Sequence, residues 1–340
     1  MDRLTRIPHL LMMTLRLPVL ALLASLMLML SSCSSYVQRI VVRSIGRIGE
    51  PIDPAPKMIT TPILENTKLA VSWVGHATVL IQIHEKVFIT DPLLTSAMGM
   101  LVKRYVEPGL NPALLPRVDF TLISHIHFDH FSYGSLDMLP KNGTLAIPLG
   151  ALRYTPDFGF KDIKEMKPWD MIEEEGVQIT AVPVQHFSGR YGLDNAWMTD
   201  LGYTGYVIEY RGYAVFFAGD TGYHPELFKE IGRRFKIDLA IVPIAPGSSS
   251  GLGSRVHTSP LGALEIFKDV GRDICCRCIT AQCSMDLIRI HQNQSIIFVE
   301  PQRIRVFWRE LSDWRSVSNG SCSEIAEGVW IRNAHEDTSN

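Results

Sequence analysis

The most informative stretch of this chain is a cluster of three histidines and one aspartate. His125-Ile126-His127-Phe128-Asp129-His130 directly follows the apolar run 119–124, which is typical of a buried strand. Imidazole and carboxylate groups are the ligands that borderline cations such as zinc prefer. The chain has only 11 histidines in 340 residues, so a chance polar turn is a poor explanation. The cluster therefore predicts a metal site at the end of a strand.

The pattern His-x-His-x-Asp-His resembles the metal-binding motif of the metallo-β-lactamase superfamily of binuclear metal hydrolases. Four further segments match motifs of that superfamily in the same order: Trp73-Val74-Gly75-His76-Ala77-Thr78, Thr90-Asp91-Pro92, Pro183-Val184-Gln185-His186 and Phe217-Ala218-Gly219-Asp220-Thr221-Gly222-Tyr223. They are most similar to the branch of N-acylphosphatidylethanolamine-hydrolysing phospholipase D and sugar-phosphate lactonases. The resemblance covers about residues 67–272 and is more specific for the fold than for the substrate.

The resemblance implies two zinc ions that share a bridging hydroxide. Three histidines match the ligands of one ion (His125, His127 and His186). Asp129 and His130 match ligands of the other ion, and Asp220 matches the carboxylate that bridges the two. Asp129 and Asp220 are also the expected catalytic carboxylates. Taken singly, His186 is also compatible with a core histidine and Asp220 with a turn residue, but the cluster favours the ligand interpretation.

Two further residues are candidates for orienting the ligands. Asp91 matches a carboxylate that orients a ligand histidine in the family, although an Asp-Pro turn at the end of a strand explains it equally well. His257, in Val-His-Thr-Ser-Pro, matches a residue that leads into the next helix and lies close to the ligands. It is equally a helix-entry residue, with Thr258 or Ser259 as N-cap.

The fold expected from the strand and helix patterns is an α/β sandwich. Apolar strand candidates alternate with helical patterns in two halves of the chain, which predicts two mixed β-sheets flanked by helices, an αββα arrangement. The strands are expected at 68–73, 78–83, 87–90, 119–124, 145–148, 177–184, 203–210, 214–218 and 239–244. The helices are expected at 135–139, 225–235 and 260–270. The hydrolase domain is therefore assigned to residues 67–272.

The N-terminus has the features of a targeting segment. Arg3 and Arg6 precede a short apolar run at residues 17–30, which suits a signal peptide. Leu30-Ser31-Ser32-Cys33 resembles a bacterial lipobox, so residues 1–33 are expected to be a lipoprotein signal and Cys33 the lipidated residue. An ordinary secretory peptide and an uncleaved anchor are the alternatives. Residues 34–66, rich in proline, are expected to form a tether.

These features predict an extracytoplasmic, membrane-anchored lipoprotein on the periplasmic side. The membrane surface and a small-molecule or phospholipid substrate are the expected partners. The formal net charge of -2 offers no basic field for a phosphate backbone, so nucleic acid is not expected to bind.

The segment 273–340 departs from the family. Five of the six cysteines fall there, as Cys275, Cys276, Cys278, Cys283 and Cys322, in a spacing that suits no common zinc motif. Disulfides are conceivable, but we favour a frameshift after about residue 272. An alternative frame through codons 273–283 allows Tyr-Met-Leu-Pro-Leu-His-Tyr-Gly-Thr-Val, which resembles the missing family strand that supplies the last metal histidine. The nucleotide sequence across codons 265–290 tests this prediction.

The sequence thus predicts a zinc-dependent hydrolase. Its expected reaction is cleavage of a phosphodiester such as N-acylphosphatidylethanolamine, in the manner of a phospholipase D. One alternative is a lactonase or other ester hydrolase of the same fold. Another is an inactive, metal-binding lipoprotein that lacks the last ligand, because the altered C-terminus is expected to impair the second metal site.

Overall fold

The fold is described from a computed structural model, over residues 49–99, 102–191, 201–244 and 255–271, with Gly46, Asp194, Met198 and four short C-terminal strands. The predicted signal peptide, Cys33 and most of the segment 273–340 lie outside the described residues. Pro51–Met100 and Arg104–Asn340 belong to one compact unit. Residues 1–50 and 101–103 belong to another, of which few residues are described.

The described strands are, in chain order, β1 (Leu69–Gly75), β2 (Thr78–Ile83), β3 (Lys86–Thr90), β4 (Ala97–Met98), β5 (Val102–Lys103), β6 (Phe120–Leu122), β7 (Thr144–Pro148), β8 (Asp162–Met166), β9 (Met171–Glu174), β10 (Val177–Val182), β11 (Gly205–Tyr210), β12 (Tyr213–Phe217), β13 (Leu239–Pro243), β14 (Cys278–Ala281), β15 (Phe298–Glu300), β16 (Arg303–Arg305) and β17 (Val329–Arg332). The described α-helices of six or more residues are α1 (Tyr133–Met138), α2 (Pro225–Arg234) and α3 (Pro260–Val270). Two 3-10 turns cover Pro112–Leu114 and Leu152–Tyr154.

The first sheet has seven strands in the order β17-β1-β2-β3-β6-β7-β8. Strands β1, β2 and β3 pair antiparallel, and β3, β6, β7 and β8 then run parallel. The parallel part matters for the site, because the carboxyl ends of its strands open at one edge of the sheet.

The second sheet has six strands in the order β14-β13-β12-β11-β10-β9. Strands β9 to β12 pair antiparallel, whereas β12, β13 and β14 pair parallel. Almost every residue of β10, β12 and β13 is buried, as expected for strands that are covered on both faces.

Three apolar clusters show how the layers are arranged. One cluster joins the inner faces of the two sheets, for example Ile81 of β2 with Ile179 of β10. A second lies on the outer face of the first sheet and includes Leu136 of α1. A third packs α2 and α3 on the outer face of the second sheet, through residues such as Phe228 and Ile266. The αββα sandwich predicted from the sequence is therefore confirmed.

The described part of the predicted tether runs along the domain. The backbone amide of Asp53 donates to the carbonyl of Tyr105, and that of Ile59 donates to the carbonyl of Gly109. The compact unit accordingly begins at Pro51, before the start at residue 67 that we assigned to the domain. Within the described residues, no helix combines the length and the apolar character that a membrane span requires.

Candidate metal centre

The candidate ligands follow directly on strand ends of both sheets. His125 comes shortly after β6, and Asp91 comes immediately after β3 in the first sheet. His186 follows β10 and Asp220 follows β12 in the second sheet. An isolated bridge between His125 and Tyr203 joins the segments that follow β6 of the first sheet and precede β11 of the second. Both sheets therefore deliver side chains to one rim of the sandwich.

Three of the predicted ligands form one group. His125, His127 and His186 each place a ring nitrogen within 4.8 Å of the others. The ring centroid of His125 lies 4.4 Å from that of His127 and 4.6 Å from that of His186. Residues 61 positions apart in the chain thus meet, as the assignment of one metal position to this trio requires.

The other predicted ligands lie beside this trio. His130 Nε2 lies 3.4 Å from Asp220 Oδ2 and 3.7 Å from Asp129 Oδ2. The rings of His125 and His130 have centroids 4.0 Å apart, so the two groups adjoin. The structure therefore brings all six predicted ligands together, while their role in binding metal stays a prediction.

The hydrogen bonds of the histidines fix which nitrogen faces the centre. His186 Nδ1 donates to the carbonyl of Val256 at 2.8 Å. Ser124 Oγ donates to Asp91 Oδ2 at 2.5 Å and so accepts from His125 Nδ1 at 2.9 Å. His130 Nδ1 donates to the same Asp91 oxygen at 2.7 Å. Each ring is thereby held with Nε2 directed into the centre, as in metal-binding histidines.

The Nε2 atoms provide a test of whether the site fits a cation. Those of His125 and His186 are buried, and among the described residues they have no hydrogen-bond partner. A buried nitrogen without a partner is costly, because nothing replaces its lost hydration. A divalent cation satisfies such lone pairs, and adjacent Asp129 and Asp220 balance its charge. The donor set therefore fits a metal ion.

Asp91 is the residue that connects these ligands. It is fully buried and accepts from the amide and the hydroxyl of Ser124 as well as from His130. It thus orients His130 directly and His125 through Ser124. Its φ of 36° lies in the left-handed region, a backbone conformation that is uncommon outside glycine but tolerated by aspartate.

Gly219 keeps this network in place from the second sheet. Its φ is 61°, and a Cβ built there would lie 2.3 Å from Ser124 Cβ. Any larger residue would displace the serine that links Asp91 to His125. The glycine before Asp220 is therefore required by close packing as well as by its backbone conformation.

Charges within the centre shift the pKa values in opposite directions. Burial by itself lowers the pKa of His130, but the carboxylates of Asp220, Asp129 and Asp91 hold it well above its usual range. Burial opposes ionisation of Asp129 and Asp220, yet the positive charge on His130 holds the pKa of both carboxyls well below the usual range. The centre therefore holds its carboxylates ionised.

Burial, reinforced by neighbouring imidazoles, lowers the pKa of His125 and His186 well below 6.5. Burial also lowers the pKa of His127 to about 4, although Asp129 opposes the shift. All three imidazoles are therefore neutral at neutral pH, and a neutral imidazole is the form that binds metal.

These lowered pKa values predict how the stability of the metal-free chain depends on pH. Between pH 6.5 and about 4 these histidines are protonated in the unfolded chain but stay neutral in the folded chain. The free energy of unfolding therefore falls as the pH falls. Each such histidine contributes a slope of at most about 1.4 kcal/mol per pH unit. His130, whose pKa is raised, stays charged in the folded chain, and it adds little slope once the pH is about one unit below 6.5, where the unfolded histidine is charged as well.

Urea unfolding of chelator-treated protein at several pH values measures this dependence. The variant His127→Gln removes one of the titrating groups, and we expect it to show a shallower slope than the original chain. Equal slopes for the two proteins would contradict the lowered pKa of His127.

Three further residues contact the centre: His76, which the resemblance placed beside it in a mostly structural role, and Ser124 and Val256, which the sequence did not indicate. His76 Nε2 lies 3.1 Å from Asp129 Oδ2, and His76, Asp129 and His130 form a further group with ligand spacing. Ser124 and the carbonyl of Val256 complete the contacts of His125 and His186. The sequence signal for His76 was its place in the matched segment Trp73-Val74-Gly75-His76-Ala77-Thr78, and in the structure its φ is 55°.

His257 lies at the same centre. Its Nδ1 is 3.4 Å from Asp220 Oδ2, and its ring centroid is 5.1 Å from that of His186. The sequence placed it near the ligands or at the entry of a helix, and the structure shows both: Ser259 is the N-cap of α3, and its hydroxyl accepts from the amide of Gly262.

The fold and this centre define a class of metal-dependent hydrolases built on an αββα sandwich. The family model described as "Beta-lactamase superfamily domain" matches residues 87–276, which is more than half of the chain. The chain belongs to the metallo-β-lactamase superfamily of metal-dependent hydrolases. The match ends at residue 276, and the frameshift after about residue 272 stays a prediction.

Curated relatives agree with this family. An uncharacterized protein of Mycobacterium tuberculosis is 27% identical over 243 residues, which cover 68% of this chain and 63% of that protein. The match thus spans less than two thirds of the length of that relative. N-acyl-phosphatidylethanolamine-hydrolyzing phospholipase D 1 of Caenorhabditis elegans is 29% identical over 262 residues, covering 68% of this chain and 71% of the relative.

A metal-dependent hydrolase of Methanoregula boonei is 32% identical over 174 residues, covering 51% of this chain and 68% of that protein. Among solved structures, isothiocyanate hydrolase from Delia radicum gut bacteria aligns with a TM-score of 0.48 at 20% identity. That alignment covers 61% of this chain and 83% of the hydrolase.

Proposed function

We propose that this chain hydrolyses a phosphodiester bond of a phospholipid, N-acylphosphatidylethanolamine being the model substrate, in the manner of a phospholipase D. The observation that carries the proposal is the convergence of six imidazole and carboxylate ligands on one rim, with the Nε2 atoms of His125 and His186 directed into it. The names of the Caenorhabditis elegans relative and of a yeast relative, 29% identical over 197 residues, support the phospholipid substrate.

Exposed aromatic side chains beside the centre support an apolar substrate group. The ring of Phe187 lies 4.9 Å from the rings of both His127 and His186, and its residue is 43% exposed. Phe128 and Tyr191, which contact each other at 5.9 Å between centroids, are also exposed. Large apolar side chains exposed next to a polar cluster are typical of ligand-binding surfaces, and an acyl chain suits them.

In this mechanism the chain holds, orients and balances the reacting groups. Zinc is the cation we propose, because imidazole and carboxylate ligands favour it. A pair of such ions, when bound, supplies hydroxide near neutral pH and neutralises charge that develops on the phosphoryl oxygens. The trio of His125, His127 and His186 would hold one ion, and Asp129 with His130 would hold the other.

The ionised carboxylates have distinct parts in this arrangement. Asp220 lies 3.4 Å from His130 Nε2 and also groups with His186, so its carboxylate would serve a cation at either position. Asp91 accepts from His130 and Ser124 and so keeps both side chains oriented. The hydrolysis joins one water oxygen to phosphorus and breaks the bond from phosphorus to the ethanolamine oxygen. The products are phosphatidate and the N-acylethanolamine, whose hydroxyl takes up a proton.

We also propose that the domain acts outside the cytoplasm, on a membrane to which lipidated Cys33 anchors it. The Leu-Ser-Ser-Cys motif and the preceding apolar run support this location. An enzyme anchored in the membrane has direct access to the phospholipids of that membrane. The proposed location is therefore consistent with the proposed substrate.

The experiment is hydrolysis of N-acylphosphatidylethanolamine vesicles by zinc-loaded protein in ¹⁸O-labelled water. We expect one ¹⁸O atom in phosphatidate and none in the N-acylethanolamine, because attack at phosphorus breaks the P–O bond. A parallel panel of lactones and carboxylic esters tests the rival ester hydrolase. Hydrolysis of that panel with intact phospholipid would overturn the phosphodiester proposal. An inactive protein that binds one metal ion or none would favour the inactive lipoprotein.

A further inference from the structure

His257 has an unused nitrogen at the edge of the metal centre. Its Nδ1 is buried and makes no hydrogen bond to any residue that the structure describes. The carboxylate oxygen Asp220 Oδ2 lies 3.4 Å from this nitrogen. The side chain of Ser259 caps α3, so His257 is not needed for capping.

The spacing around Asp220 matches that of ligands that share one cation. Two ligand atoms about 2.0–2.1 Å from a tetrahedral zinc ion lie about 3.4 Å apart. Both His257 Nδ1 and His130 Nε2 lie 3.4 Å from Asp220 Oδ2. His186, Asp220 and His257 also place their ligand atoms within 4.8 Å of one another. One ion can therefore contact Asp220 and His257 together.

The backbone holds His257 in this position. The carbonyl of Val256, the preceding residue, accepts from His186 Nδ1 at 2.8 Å. Gly222 packs so closely on the same segment that a Cβ there would lie 2.0 Å from the carbonyl oxygen of Arg255. Ser259 and Pro260 then fix the start of α3. A side chain held from both ends of its segment is preorganised for binding.

The sequence also leaves the centre short of one donor. The family strand resembling Met-x-Pro-x-His-x-Gly-Thr, which would supply a last histidine, is not found in residues 273–340 of this chain. We propose that His257 is a metal ligand in this chain and binds through Nδ1, together with Asp220, the cation on the side of His186. This inference rests on the metal centre of the proposed function.

Metal affinity of the full chain tests the inference without any assay of activity. We compare the unchanged chain, His257→Ala and the matched control His224→Ala, which removes an exposed histidine at the N-cap of α2 that makes no capping bond. Competition with a zinc chelator is expected to show one zinc bound about 10–100-fold more weakly in His257→Ala, and unchanged binding in the control. Equal affinities in all three proteins would overturn the inference.

A second variant covers the case in which His257→Ala fails to fold, as judged by circular dichroism. In His257→Cys loaded with Co²⁺, a thiolate ligand produces a sulfur-to-cobalt charge-transfer band that the unchanged chain, with the same other cysteines, lacks. The absence of a new band would overturn the inference. If the unchanged chain binds no metal at all, the proposed function fails as well, so the two failures are distinguishable.

Discussion

Replacing Asp220 with asparagine is expected to lower turnover of a chromogenic phosphodiester, such as bis(p-nitrophenyl) phosphate, by at least about 10³-fold. Asp220 is buried and contacts both His130 and His257 at 3.4 Å. Its charge is retained because His130 holds the pKa of its carboxyl well below the usual range. The neutral amide removes the charge that balances two cations, and a loss of about 4 kcal/mol in transition-state stabilisation corresponds to that factor.

The matched control for this variant is Asp137→Asn, which makes the same chemical change on an exposed position of α1. Atomic absorption of the purified proteins should show less bound metal in Asp220→Asn and unchanged metal in the control. Full turnover by Asp220→Asn with both metals retained would contradict the proposed role of Asp220 as the carboxylate shared by the two metal ions.

The fold could be predicted where burial leaves a clear pattern. The apolar runs of β2, β12 and β13 are buried along their length, and hydrophobic residues concentrate there for that reason. Helices α2 and α3 begin with proline in the first turn, which marked their starts in the sequence. Their observed bounds agree with the prediction to within one residue.

The strands that the sequence missed lie at sheet edges. Strand β8 is the edge of the first sheet and has the sequence Asp-Ile-Lys-Glu-Met, and β9 is the edge of the second with Met-Ile-Glu-Glu. Edge strands tolerate charged side chains, which also discourage pairing with other molecules. Alternation of apolar and polar residues is correspondingly weak, and periodicity offers little basis for predicting them.

The candidate ligands were easier to predict than their supporting contacts. Four of them occupy six consecutive positions, and such a density of imidazole and carboxylate groups is visible in the sequence. The contacts that orient them join distant residues, such as Asp91 with His130 and His186 with the carbonyl of Val256. A backbone carbonyl has no sequence signature, so that contact becomes visible only in the folded chain.

The second large effect is expected at Asp91, where two substitutions separate stability from metal binding. Asp91→Ala leaves the buried Ser124 amide and His130 Nδ1–H without their acceptor, and breaking a buried charged contact of this kind costs about 3–5 kcal/mol. Asp91→Asn keeps the shape and one acceptor oxygen. Its NH2 group also donates. In place of Oδ2 it faces both His130 Nδ1–H and the Ser124 hydroxyl, and in place of Oδ1 it faces the backbone N–H of Ser124.

We therefore expect Asp91→Asn to fold but to bind one metal ion about 10–100-fold more weakly, because His130 loses the acceptor that keeps Nε2 free. Urea unfolding measures the first effect, and chelator competition measures the second. Asp157→Asn, an exposed loop substitution, is the control for both. A stability of Asp91→Ala within about 0.5 kcal/mol of the original, a change typical of surface positions, would show that the buried network around Asp91 does not stabilise the fold. Unchanged metal affinity of Asp91→Asn would show that Asp91 does not set the orientation of His130.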